Sequence, residues 1–397
     1  MDGALNNVKV LDFTQAYAGA TCTLILRELG ADVLKVERVD GGDTTRTQPP
    51  ITEGGEGCNF VALNRGKKGI TLNLSSPRGR EIALKFAEWA DVAMENFRPG
   101  VMDRLGLGYA DLKKVNPKII YVSVCGFGHT GPRTMEPGYD VIAQVSGGIS
   151  CIEGFPHDSP AICGIPIGDY LAPLYATIAI LAALNYRTLT GVGQAIDISQ
   201  QDAVWNLVGI QQGAHYFYTG KTPRRFGNTI PTQCPFGIYP AKDGHVVICV
   251  ATVGQWELLV KTMGRHDLVG DERYVTSNAR VARREEVDAI MKEWTEVRTK
   301  QEIYDIMKAA ALPCTVVPTF EEVTTDPQLL SRNMVVEIEQ VLSGKMRMPG
   351  SVFKMSETPG NVAFPAPFLG QHNYEVYSRM LGLNEAQIKE LQDEGVI

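Results

Sequence analysis

The residue with the greatest chemical potential in this chain is an aspartate. Asp169 sits in CGIPIGDYLAPLYA, Cys163 to Ala176, directly after Gly168 and at the start of a long apolar stretch. An aspartate at a helix start most often caps it by accepting backbone N–H groups. The alternative is a nucleophilic carboxylate held beside helix amides that stabilise an oxyanion, with Gly168 leaving the backbone open to a bulky ligand. On residue types alone, capping is the commoner role. Basic residues form the second group: KVER ends at Arg38, NRGKKG holds Arg65, Lys67 and Lys68, and ENFRPGVMDR holds Arg98 and Arg104. Together they could grip a phosphate-rich ligand, although each alone is more often solvated surface charge.

Other chemistries lack their residues. The first turn, TQAYAGATC, has no GxGxxG, so a dinucleotide pyrophosphate could not approach the backbone, and Glu37 reads as an ordinary strand-end carboxylate. GVG at Gly191 to Gly193 precedes a strand, which is the wrong context, and GxxxxGK[ST], HExxH and GxSxG do not occur. The eight cysteines include no CxxC and share the chain with only six histidines, which argues against a zinc site or a disulfide framework. Reduced thiols in a cytoplasmic protein are the expectation. A net charge of −7 argues against a protein that coats nucleic acid or an anionic membrane through overall charge.

These residues need elements to position them. VKVLDF, Val8 to Phe13, alternates as a strand; a helix over Ala18 to Leu29 stops at Gly30; ADVLKVER, Ala31 to Arg38, is a second strand. This is a βαβ opening of a parallel sheet. Strands within 69–74, 91–96, 118–127 and 195–199 alternate with helices over 77–89 and 200–218. Arg98 and Arg104 thus follow a strand, at the sheet edge where α/β proteins bind ligands. The apolar run Leu171 to Leu184 has 14 residues, short of the ~20 of a bilayer span, and predicts a buried core helix. The N-terminus lacks the pattern of a signal peptide. After KTPRRFGN the elements shorten: a hairpin turning at Asp243-Gly244, then charged helices near 281–294 and 300–309. The expected domains are 1–220, a smaller one at 224–318, and a C-terminal part, 330–397. That last part begins with strands and connections and ends in an amphipathic helix over 373–394.

Across nearly its whole length the chain resembles the family III CoA-transferases, which include formyl-CoA:oxalate and carnitine CoA-transferases. The residues that carry the resemblance are LDFTQAYAGATCTLILRELGADVLKVER, GDTTR (Gly42 to Arg46), NRGKKGITLNL, ENFRPGVMDRLGLGY, SVCGFGHTGP, GDYLAP, TGVGQAIDISQQDAV and LGQHNYEVYSRMLGL. Each is weak alone; their number, order and spacing are specific. The resemblance implies an α/β fold with a Rossmann-like parallel-sheet large domain, closed by both chain ends and interrupted by a smaller α+β domain. It also implies an interlocked-ring homodimer with active sites at the subunit junction. It makes Asp169 the nucleophile. Its carboxylate attacks an acyl-CoA thioester, giving an acyl–aspartyl anhydride and CoA thiolate; the thiolate takes the aspartyl group, and CoA passes to an acceptor carboxylate. The partners implied are the acyl-CoA and the carboxylic acid. No metal or redox cofactor is implied, CoA thioester being a substrate. By matching position, Arg38 and Arg104 contact the CoA phosphates, and Leu72, Asn73, Leu74, Ser75, Asn96, Phe97 and Arg98 line the CoA nucleotide. Tyr17 and Ala18 lie near the reacting acyl group, and Pro137 to Asp140, with Tyr139, cover the site.

The chain departs from the oxalate enzymes in four places. It carries Tyr17 for Gln, Gln48 for Trp and Pro137 for Lys, and VATVGQWELL holds only Gly254 where those enzymes have a glycine run. The missing glycine run and Gln48 argue against oxalate as the acceptor, the smaller and more polar Gln48 pointing to a different, larger acid, while Tyr17 and Pro137 break the direct transfer of the Gln and Lys roles. Two other readings stand beside transfer. One is the 2-methylacyl-CoA racemase branch, whose catalytic His falls where this chain has Tyr139, a poor base at neutral pH. The other is a non-catalytic nucleotide-binding protein. Asp140 reads equally as a helix N-terminal acid, and Arg65, Lys67 and Lys68 as a basic surface turn.

Overall fold

The structure, a computed structural model, describes residues 3–397. It divides into two compact units: Met1–Ile149 with Cys163–Lys221 and Pro327–Ile397, and Ser150–Ile162 with Thr222–Asp326. The second unit therefore takes in residues 150–162, which the sequence reading assigns to 1–220.

The first unit is built on six parallel strands: β1 (Lys9–Asp12), β2 (Asp32–Glu37), β3 (Lys68–Thr71), β4 (Val92–Glu95), β5 (Ile120–Cys125) and β6 (Ala195–Ser199), in the order β3-β2-β1-β4-β5-β6. This is the Rossmann strand order, with the crossover reversing between β1 and β4. Strand alternation sends Val10, Val33, Met94 and Val122 to one face, under the helices Ala18–Glu28 and Ile167–Thr190. Leu11, Leu34, Val36 and Ile70 point to the other, under Pro77–Trp89 and the C-terminal helices Asn373–Leu381 and Glu385–Asp393. Helices on both faces leave the central strands buried, hence their near-continuous apolar runs.

Three sequence expectations change. The tail is two helices, broken where Gly382 takes φ +70. The expected helix over 200–218 loosens into a π-helical turn at Gly209–Gly213, where the Trp205 ring lies against both glycines. The apolar run extends to Ile167–Thr190 and is buried on one side only, through Ala172, Ala176, Ile180 and Ala183. That helix is long and apolar enough to cross a bilayer, with 39% of its most apolar window buried. Also in this unit, β10 (Val335–Gln340) and β11 (Gly344–Pro349), which follow the strands of the second unit in sequence, form a hairpin packed on Phe60 and Val61.

In the second unit, β7 (Phe236–Ala241), β8 (Gly244–Cys249) and β9 (Cys314–Val316) form an antiparallel sheet around its own core of Trp256, Leu259, Val287, Met291 and Ile303.

Candidate active site

The switch point of the sheet is where an α/β protein opens a crevice, and a cavity lies there. It has about 580 Å³ and is lined by Gln15 to Ala18 after β1, Asn96 to Pro99 after β4, residues 124–127 at the end of β5, and Pro137 to Val141, Asp169 and Gln200. Asn96 and Gln15 close the crossover point reciprocally. Gln15 N donates to Asn96 Oδ1 at 2.7 Å, and Asn96 Nδ2 donates to Gln15 O at 2.8 Å. A second cavity of about 480 Å³ is lined by Arg38, Leu72 to Ser75, Leu105 and others, and Gln15 and Phe97 line both. The two therefore adjoin, and one elongated ligand can run from the strand-end loops of β2 and β3 to Asp169.

Asp169 stands in the first turn of Ile167–Thr190. Burial pushes its carboxyl up to about 7, the neighbouring Asp140 adds to this, and a hydrogen bond from Gln200 opposes it. Gln200, only 5% exposed, donates Nε2 to Asp169 Oδ1. Sequence reasoning passed over Gln200; its signal was position, directly after β6 at the carboxyl edge of the sheet.

Two sequence expectations about Asp169 are corrected. Gly168 does not open the backbone to a ligand: a Cβ there would meet Ala143 Cβ and Asp140 Oδ1 at 3.2 Å each. It lets the helix pack against Asp140–Ser146 instead. The amides beside Asp169 are also taken, since Asp140 Oδ1 accepts Gly168 N at 2.7 Å and Asp169 N at 3.2 Å. Asp140 is thus the cap, and it also opens its own helix, Asp140–Ser146, while lining the cavity. Two helix starts at the cavity have no side-chain cap, those of Ala18–Glu28 and Asp140–Ser146; of the former, Tyr17 just before the helix and Ala18 as its first residue line the cavity. That terminus can receive negative charge.

The loop leading to it is tightly held. Ala16 takes φ +56, a conformation uncommon outside glycine. Its N–H is gripped by both Asp43 oxygens at 3.2 Å. Asp43 is itself paired with buried Lys35 at 2.9 Å, and Lys35 Nζ donates to Thr14 O at 2.9 Å. Beside them Asp12 pairs with buried Lys67 at 3.1 Å; burial works against its charge, yet Lys67 and Lys35 hold its carboxyl down at about 2. The GDTTR segment is anchored through Arg46, which makes a bidentate pair with buried Glu37 at 2.7 Å and stacks on Phe60. Glu37 is therefore a structural anchor.

The other sequence-predicted residues divide. Arg38, Leu72, Asn73, Leu74, Ser75 and Phe97 share the second cavity; Tyr17, Ala18, Asn96, Phe97, Arg98, Tyr139 and Asp140 share the first with Asp169. Arg104, at the end of the short helix Val101–Arg104, is exposed and lines neither cavity. Lys67 and Arg65 are buried struts, neither surface charge nor phosphate ligands: Arg65 Nη1 donates to Pro349 O at 2.9 Å and Val362 O at 3.3 Å. Only Lys68 is on the surface, near Asp32 and Glu375. Gly126 and Gly138 cross so closely that a Cβ on Gly138 would meet Gly126 Cα at 2.5 Å, which is what brings Tyr139 and Asp140 over the end of β5.

Fold and site together define an α/β protein with a cleft at a Rossmann switch point that holds a buried carboxyl, Asp169. The model of CoA-transferase family III matches residues 5–373. The succinyl-CoA:mesaconate CoA-transferase of Haloarcula marismortui is 37% identical over 387 residues, covering 94% of this chain and 96% of that one. The formyl-CoA:oxalate CoA-transferase of Afipia carboxidovorans is 32% identical over 419 residues, covering 100% and 98%. The crystal structure of a CAIB/BAIF family protein from Brucella suis superposes with a TM-score of 0.86 at 33% identity, covering 96% of this chain and 100% of that one. The chain belongs to CoA-transferase family III.

Proposed function

We propose that the protein moves CoA from an acyl-CoA donor to a free carboxylic acid, with Asp169 as the nucleophile. The observation that carries this is Asp169 in a cavity that adjoins, at Gln15 and Phe97, a second one bearing exposed Arg38. Nucleotide and phosphates would occupy the second cavity and the thioester would reach Asp169.

The Asp169 oxygen not held by Gln200 attacks the thioester carbonyl carbon, and the C–S bond breaks to leave CoA thiolate and a mixed anhydride. The thiolate then attacks the aspartyl carbonyl, releasing the donor acid as its carboxylate and leaving aspartyl-CoA. The acceptor carboxylate attacks that thioester, forming a second anhydride and freeing the thiolate. The thiolate closes the cycle on the acceptor carbonyl and regenerates Asp169. Each tetrahedral intermediate places an oxyanion that the uncapped start of Ala18–Glu28 is positioned to receive. The Tyr139 loop excludes water that would hydrolyse the anhydride.

The acid we infer is a dicarboxylate larger than oxalate. Two of the four departures from the oxalate enzymes touch each other: Tyr17 Oη donates to Gln48 Oε1 at 3.1 Å. This polar pair in the cavity wall suits a distal carboxylate, and the relative named for succinyl-CoA and mesaconate uses acids of that class. The racemase reading loses its base, because His129 faces Ser123 Oγ at 2.7 Å and is not among the described residues lining the cavity. We further propose a homodimer, seated on the apolar face described in the Discussion, and a cytoplasmic setting, in keeping with eight free cysteines.

Incubation with succinyl-CoA and hydroxylamine, followed by peptide mass mapping, is expected to place a hydroxamate on Asp169. Absence of label together with full activity of Asp169→Ala would remove the nucleophile. Exchange of solvent deuterium into a 2-methylacyl-CoA would instead favour racemisation.

A further inference from the structure

We propose that Cys125, His129 and Asp197 form a binding site for a thiophilic divalent cation of the Zn²⁺ class at the rim of the Asp169 cavity. Each offers one ligand atom, and these atoms lie within 4.8 Å of one another. The sequence pattern speaks against zinc because the set has no CxxC. The sheet assembles it from neighbouring strands.

Glu95, Ser123 and Asp197 are register partners across β4, β5 and β6. Cys125 lies two residues beyond Ser123 on β5, hence on the same face of the sheet. The chain then turns through Gly126 to Gly128, the last with φ +79, and brings His129 back over this row. The His129 backbone N–H donates to Asp197 Oδ2 at 2.9 Å, and its Nε2 lies 2.7 Å from Ser123 Oγ. Glu95, the register neighbour of Ser123, accepts Phe97 N at 2.7 Å. The Ser123 contact holds the imidazole at one nitrogen and leaves the other available to an ion, as an outer partner does for a metal-bound imidazole.

One thiolate, one imidazole and one carboxylate select zinc-like ions over magnesium or calcium and leave a fourth position for water. An ion here ties the loop after β5, which contributes Phe127, Thr134 and Tyr139 to the cavity wall, to the ends of β5 and β6. The proposal does not depend on the transfer reaction.

The full chain, stripped with a chelator, is dialysed against Zn²⁺ for elemental analysis and titrated separately with Co²⁺. About one ion per chain is expected. The Co²⁺ form should show a thiolate charge-transfer band in the near ultraviolet and the intense visible bands of a tetrahedral site. Cys125→Ser should abolish the charge-transfer band, and His129→Gln should weaken binding ~10-fold or more, both with unchanged far-ultraviolet circular dichroism. Substoichiometric binding, a Co²⁺ spectrum without the thiolate band, or unchanged affinity in His129→Gln would overturn the site and leave His129 as a hydrogen-bonded loop anchor.

Discussion

Asp169 is chemically poised because its environment is hostile to charge. A carboxyl pushed up to about 7 by burial, with Asp140 adding to the effect, must ionise before it can attack. The activity of the free enzyme is therefore expected to rise with pH through about 7, read as the acidic limb of kcat/KM. Gln200 favours the ionised form by donating to it. Gln200→Leu should move that limb to higher pH and cost more activity at pH 6 than at pH 9; a limb that stays in place would show that the bond does not act on the nucleophile. The same shift has a stability sign. A folded-state pKa above the unfolded value means ionisation costs folding free energy, increasingly as pH rises from about 4 through about 7. Asp169→Asn, which cannot ionise, should raise Tm at pH 8 by more than at pH 5 while transfer is lost.

The elements matter through how they hold the loop after β1. Strand alternation puts Asp12 and Lys35, register partners on β1 and β2, on one buried face, and Lys67 and Asp43 complete two ion pairs there. Removing one member of a buried pair leaves the other charge unpaired in a poor solvent for it. Lys67→Met is expected to cost ~3–5 kcal/mol in denaturant unfolding, whereas its neighbour Lys68→Ala, on the surface, should stay within ~0.5 kcal/mol. Asp43→Asn weakens the grip on Ala16 and so the placement of Tyr17. It should lower kcat more than it changes the KM for acyl-CoA; a pure KM effect would argue that Asp43 serves binding alone.

At the scale of the whole molecule the notable feature is an uncovered apolar face. The outward side of Ile167–Thr190 carries Leu174, Ile178 (63% exposed), Leu181 and Leu189, and the segment after β6 carries Trp205, Ile210, Phe217 and Tyr218 (92% exposed). Contiguous exposed apolar surface of this kind marks an association site, and a second copy is the occupant that the proposed homodimer supplies. Sedimentation equilibrium should give twice the chain mass, and Ile178→Asp should shift the population toward monomer.

Much of this was legible in the sequence because it is local. Alternation and turn residues located β1 to β8 to within a few residues, and the motifs pointed to Asp169, Arg38 and Leu72 to Ser75. Charge bookkeeping along the chain could not say which lysine of NRGKKG would be buried. Lys67 and Lys68 are adjacent in sequence, but Lys67, just before β3, turns into a fully buried pair with Asp12, while Lys68, the first residue of β3, stays on the surface near Asp32 and Glu375. Nor could the sequence show that Asp140 would cap the Asp169 helix, that Gln200 would reach the nucleophile, or that Cys125, His129 and Asp197 would meet. Those pairings join residues tens of positions apart through sheet register and the close crossing at Gly126 and Gly138. What the sequence alone determined is the class of elements and the family, and with the family the candidate Asp169. Tertiary structure decided which polar groups are desolvated and paired, because burial and register depend on the whole sheet and not on any local run of residues.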